Sequence, residues 1–148
     1  MQPETVPSNC PMHDLSSGVT VVTGGAGLIG SAVIWGINNQ NLNNVWMVDQ
    51  SEDESPKKRN LEHLNFQRSL GIEEFRSLVR NQSDELTSVR TILHLGACSS
   101  TTETDEKYLN DNNFLYTKEL CEWSLENNVP LRLCILCGYL WKRRQGNG

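Results

Sequence analysis

The chain has 148 residues, enough for one domain with its own core. With 37% hydrophobic and 21% charged residues, no window approaches the roughly 18 apolar residues a membrane helix needs. The formal net charge of -5 argues against nonspecific nucleic-acid binding, which depends on Lys and Arg neutralising phosphates.

Residues 1–18 carry Pro3, Pro7 and Pro11 without the basic start and apolar stretch of a signal peptide, and are expected to be a flexible leader. Residues 19–23 are short and β-branched and predict a buried strand. Residues from about 28 to 39 predict a helix with Ile29, Val33 and Ile37, spaced four apart, on one face. A second buried strand at 45–48 ends at Asp49, and 50–60 read as a polar loop. A short third strand is expected near 65–68, and a helix over 72–81. Residues 91–95 predict a fourth strand. Residues 105–127 predict one long helix capped by Thr104 or Thr102, with Leu109, Tyr116, Leu120 and Trp123 along one stripe. After Pro130, residues 131–136 predict a fifth strand.

Strands alternating with helices imply parallel βαβ units with right-handed crossovers. The expected fold class is α/β: a Rossmann-like, doubly wound parallel sheet of about five strands spanning 19–136. It is incomplete, and no substrate domain is expected within these 148 residues.

The first strand runs into Gly24-Gly25-Ala26-Gly27-Leu28-Ile29-Gly30. Both Gly25-x-Gly27-x-x-Gly30 and Gly24-x-x-Gly27-x-x-Gly30 fit a dinucleotide fingerprint. Its glycines turn the chain, admit the pyrophosphate and let the helix pack closely. The pyrophosphate then meets the positive end of the helix. Asp49, 19 residues past Gly30, is placed to bind ribose hydroxyls. By itself Asp49 favours NAD. Lys57, Lys58 and Arg59 can instead hold a 2′-phosphate or form an ordinary solvated loop, and spacing leaves that choice open.

A second run, His94-Leu95-Gly96-Ala97-Cys98-Ser99-Ser100-Thr101-Thr102-Glu103, follows the fourth strand, where doubly wound sheets bind ligands. Asn112 or Asn113 can support it from the next helix or serve ordinary capping. His94 reads as a packed histidine rather than a base. Cys98 has no evident base beside it, and Cys134-x-x-Cys137 lacks a second ligand pair, so no metal site is expected. The odd count of five cysteines points to a reducing, cytoplasmic location.

The stretch from Thr23 to Gly30 resembles the extended short-chain dehydrogenase/reductase superfamily. The run from His94 to Glu103, continuing through Lys107-Tyr108, Asp111-Asn112-Asn113 and Lys118-Glu119-Leu120, is similar to the ADP-L-glycero-D-manno-heptose 6-epimerase family. That resemblance covers about residues 19–133. It implies tight binding of NADP, with NAD as the alternative. It also implies inversion at C6 of an ADP-heptose-type nucleotide sugar, by removal of a hydride and its return to the opposite face. Such an enzyme makes precursors of the lipopolysaccharide core, and the full-length family assembles as homo-oligomers.

The resemblance places the cofactor on Gly24, Gly27, Leu28, Ile29 and Gly30, on Asp49, Gln50 and Lys57, on Leu95, Gly96, Ala97, Cys98 and Ser99, and on Asn112. A second lysine of the family falls on Ile72 here. The family's catalytic Ser or Thr and Tyr-x-x-x-Lys pair have no counterpart. Tyr139 is followed four residues on by Arg143, so catalysis by this chain alone is not expected. Residues 134–148 depart from the family pattern, and the tail at 137–148 is expected to be aberrant, a frameshift product. Another nucleotide-sugar epimerase or dehydratase, or a noncatalytic binding module of this fold, is the alternative reading.

Overall fold

The computed structural model describes residues 14–50, 56–97 and 104–133. Five strands form one sheet: β1 (Val19–Thr23), β2 (Val45–Asp49), β3 (Arg68–Gly71), β4 (Val89–His94) and β5 (Leu131–Leu133). Every pairing is parallel and the order is β3-β2-β1-β4-β5. The chain therefore steps outward from β1 in one direction, then crosses back to its other side. The order thus reverses between β1 and β4, the kind of switch point beyond whose strand ends doubly wound sheets bind ligands.

The strands alternate faces in their packing. Val22, Val45 and Met47 pack with Ile34 and Ile37 of α1 (Leu28–Asn38). Val19, Val21, Trp46, Val48 and Ile92 face the other way, against Phe75 and Val79 of α2 (Ile72–Arg80) and Tyr116, Leu120 and Trp123 of α4 (Tyr116–Asn127). Both faces are thus covered, which a parallel sheet of near-continuous apolar strands requires. Among the described residues, no helix is long and apolar enough to cross a membrane.

The α/β sheet agrees with the sequence, while several details differ. The buried face of α1 is Gly30, Ser31, Ile34 and Ile37, and Ile29 points outward at 49% exposure. The close approach of Gly30 to the preceding loop sets the helix rotation and turns Ile29 away from the core. Strand β3 lies three residues later than expected, at Arg68–Gly71, with only Leu70 fully buried. Its partner β2 selects it through backbone pairing from Trp46↔Arg68 to Asp49↔Gly71, a signal that side-chain pattern does not carry. Strand β4 begins two residues earlier than expected, and Leu95 lies just beyond it. Of the predicted fifth strand, 131–133 are described, and 134–136 lie outside the described residues.

The expected single helix over 105–127 is three pieces. A turn of α3 (Glu106–Leu109) leads into a π-helical segment, Asn110–Leu115, and then into α4. The cap is Asp105, whose carboxylate accepts from the amides of Lys107 at 3.0 Å and Tyr108 at 3.1 Å. A carboxylate there also complements the positive helix end, which Thr104 would not. Thr102 lies outside the described residues. Asn128 ends α4 in the left-handed conformation, with φ 54°.

Tyr116 is wholly buried, yet its hydroxyl meets no hydrogen-bond partner among the described residues. A buried donor left unpaired carries a desolvation penalty. Tyr116→Phe is therefore expected to leave stability unchanged or raise it by about 1 kcal/mol in urea unfolding. A loss above that size would mean the hydroxyl is satisfied in solution.

Candidate functional site

The glycine loop leaves β1 with Gly24 at φ +67°, a left-handed conformation suited to glycine. A Cβ on Gly24 would stand 2.8 Å from the backbone of Gly96, so the loops after β1 and β4 touch main chain to main chain. A Cβ on Gly30 would stand 2.1 Å from the Gly24 carbonyl oxygen. That contact is with backbone and has no flexible side chain to yield. Gly30→Ala should therefore lower stability by about 2 kcal/mol, whereas Gly36→Ala should raise it by about 0.5 kcal/mol. Gly36 sits in the same helix with nothing within 4 Å of its missing Cβ. Denaturant midpoints of the two variants check the contrast; equal shifts would contradict the packing role of Gly30.

Gly27 caps α1 without a side-chain hydrogen bond, and the first turn holds no acidic residue. The early N–H groups and the positive helix end are thus left for water or an external anion. Leu28 and Ile29 stand at that mouth, 80% and 49% exposed.

Asp49 closes β2 at 6% exposure. Its Oδ2 accepts the Ala26 amide at 3.0 Å, and its Oδ1 accepts the Gln50 amide at 2.8 Å. The Lys57 ammonium also reaches Oδ1, at 3.4 Å. A carboxylate accepts at about four positions, so most of this one is taken by the protein itself. It braces the glycine loop and holds the lysine. Where the sequence predicted only loop, a 3₁₀ turn at Pro56–Leu61 delivers Lys57, and Asn60 of the same turn donates to the Ala26 carbonyl at 2.9 Å. Lys58 and Arg59 are exposed, and so is the side chain of Gln50.

Beyond β4, Leu95, Gly96 and Ala97 are partly buried, while Cys98 and Ser99 lie outside the described residues. Asn112 lies in the π-helical segment and donates to the Asn113 side-chain oxygen at 3.2 Å. Of the predicted residues, 24–30 run from the end of β1 into α1, Asp49 ends β2 with Gln50 after it, Lys57 lies in the 3₁₀ turn, 95–97 follow β4 and Asn112 lies in the π-helical segment.

Two groups escaped the sequence reading. The first is Thr23, whose hydroxyl meets His94 Nδ1 at 2.6 Å. The second is Thr117, whose hydroxyl meets His94 Nε2 at 3.0 Å. His94 is 4% exposed and lies edge-on to Tyr116, and burial pulls its pKa down to about 4. It is a packed neutral imidazole, as expected. The available signal was a threonine closing an inner strand, but its pairing with His94 depends on strand register.

Residues 20–137 match the NAD dependent epimerase/dehydratase family. The chain belongs to that family. Its fold is similar to that of the Bordetella bronchiseptica enzyme WbmG, solved in complex with NAD and UDP (17% identity, TM-score 0.59), covering 80% of this chain and 37% of that one. It is also similar to Helicobacter pylori ADP-L-glycero-D-manno-heptose-6-epimerase (19% identity, TM-score 0.60, 80% and 39% covered). A third is UDP-glucuronic acid 4-epimerase from Bacillus cereus, in complex with NAD (23% identity, TM-score 0.53, 71% and 35% covered). The chain thus spans well under half the length of these three structures. At these identities the likeness concerns the Rossmann-like fold.

Proposed function

We propose that this chain is the cofactor-binding portion of a nucleotide-sugar epimerase that acts on an ADP-heptose-type substrate, with NADP as the preferred dinucleotide and NAD as the alternative. The observation that carries this reading is the Lys57–Asp49 pair, one strand away from a glycine loop packed too closely to admit a Cβ at Gly24 or Gly30. Asp49 and Gln50 would face the adenosine ribose, and Lys57, half exposed, would shift from Asp49 to a 2′-phosphate. Gly24, Gly27, Leu28, Ile29 and Gly30 would hold the diphosphate against the end of α1. Leu95, Gly96, Ala97, Cys98, Ser99 and Asn112 would line the remainder.

When bound, the dinucleotide supplies hydride acceptance and return at one sugar carbon. The residues of this chain bind and orient it. These 148 residues hold no Tyr-x-x-x-Lys pair after β5, so binding without turnover is expected of the chain by itself.

Fluorescence titration with NADPH and NADH tests the reading. NADPH should bind at least tenfold tighter, and Lys57→Glu should abolish that preference. Failure of both nucleotides to bind would overturn the site, and preference for NADH would overturn the NADP assignment. Incubation of the loaded chain with ADP-heptose should return the sugar unchanged at C6. Appearance of the epimer would refute inactivity.

A further inference from the structure

Thr23 closes β1, and its hydroxyl oxygen lies 3.1 Å from the Gly96 amide and 3.2 Å from the Leu95 amide. Both amides can only donate, although Leu95 shares its hydrogen with the Thr23 carbonyl, also at 3.2 Å. The two lone pairs of the hydroxyl are thus occupied, and its hydrogen is left for His94 Nδ1 at 2.6 Å. Nδ1 is therefore the acceptor, and a neutral ring carries its hydrogen on Nε2. That N–H donates to the Thr117 hydroxyl at 3.0 Å, and the Thr117 hydroxyl donates to the Asn113 carbonyl at 2.6 Å. Every hydrogen in the series has one direction.

We propose that His94 is a positioning residue, held as the Nε2–H tautomer, which joins the glycine loop, the β4 loop and the π-helical segment into one unit and thereby sets dinucleotide affinity. The series begins beside Gly24, passes the Gly24–Gly96 backbone contact and ends next to Asn112. These are three separate stretches of chain, from β1, from β4 and from the helix after it. π-helical turns are rare and frequent at functional sites, and the Thr117 hydroxyl bonds a carbonyl within this one. Oriented hydrogen bonds in a buried setting hold positions more firmly than apolar contact does.

The affinity part of this inference rests on the proposed dinucleotide site, and the ring tautomer does not. The full chain is compared with Thr117→Val and Thr117→Ser by NADPH titration and by nitrogen-15 shifts of the His94 ring. Thr117→Val should weaken NADPH binding at least fivefold, and Thr117→Ser should stay within twofold of the parent chain. Thr23→Val should speed exchange of the Gly96 amide at least tenfold and that of Leu95, still held by the Thr23 carbonyl, by less, with Thr23→Ser preserving protection. Thr117→Val binding as tightly as the parent chain would overturn the positioning role. An Nδ1–H tautomer in the parent chain would overturn the relay whether or not nucleotide binds. If the parent chain binds no dinucleotide, the site reading and the affinity claim fall together, and an Nε2–H ring would still uphold the relay.

Discussion

Replacing Arg76 with alanine is expected to lower the unfolding free energy by about 3 kcal/mol. Arg76 lies on α2 with its side chain 2% exposed. Its Nε and Nη2 grip Glu119 at 2.9 and 3.0 Å, and its Nη1 and Nη2 grip Asp111 at 2.7 and 3.0 Å. A further bond runs from Nη1 to Glu73 at 3.2 Å. All the donors of a guanidinium are engaged, and the group sits 5.2 Å from the centre of the Tyr116 ring. Two forked pairs of this kind combine charge with fixed geometry.

Removing the arginine leaves a gap beneath α4 and strips Glu119 and Asp111 of their main partner. Hydrogen bonding from Arg76 holds Asp111 below the usual carboxylate range. Burial pushes Glu119 up, and the arginines Arg76 and Arg80 more than offset it. Arg76→Lys keeps the charge but not the forks, and should lose about half as much stability. Glu73→Ala removes an exposed partner and should change stability by no more than about 0.5 kcal/mol. Urea unfolding of the three variants orders them. A loss below about 1 kcal/mol for Arg76→Ala would show that neighbouring side chains replace it.

The second expected result is a loss of stability in mild acid, centred on His94. Unfolded, this histidine takes a proton near pH 6.5; folded, burial holds its pKa at about 4. The neutral ring is the form the fold accommodates, so the stabilisation is complete above the unfolded value. Below pH 6.5 the unfolded chain binds a proton that the folded chain does not, and stability falls until the folded ring titrates near pH 4. Across that window the loss should amount to about 3 kcal/mol. Urea midpoints at several pH values should show a slope in the parent chain between pH 6.5 and 4.5 that His94→Gln lacks. The same slope in both would assign the acid sensitivity to other groups. Asp111 and Glu119, with lowered pKa values, enter only at lower pH.

Much of the site could be read from residues near one another in the chain. The glycine loop, the strand before it and Asp49 at the end of the next strand are local patterns. Each has a backbone reason: a left-handed turn at Gly24, an uncapped helix start at Gly27, a close contact at Gly30. Lys57 was recognisable as a charge near Asp49, but the 3₁₀ turn that brings it within 3.4 Å was not. Cys98 and Ser99 were named from sequence and lie outside the described residues, as do 134–148.

Alternating periodicity by itself determined the class of fold, the approximate place of its strands and the glycine loop of a dinucleotide site. These depend on which residues turn, pack and pair within short windows. Tertiary structure alone decided the rest. The rotation of α1 follows from Gly30 meeting Gly24, and β3 is chosen by its pairing with β2. The π-helical segment sits between Arg76, which holds Asp111, and the Thr117 hydroxyl, which bonds the Asn113 carbonyl. His94 and Thr23 are 71 positions apart in sequence and share a hydrogen bond only because β1 and β4 lie side by side. Local sequence carries backbone preference, whereas these partners are assigned by strand order and register, which exist only once the sheet has formed.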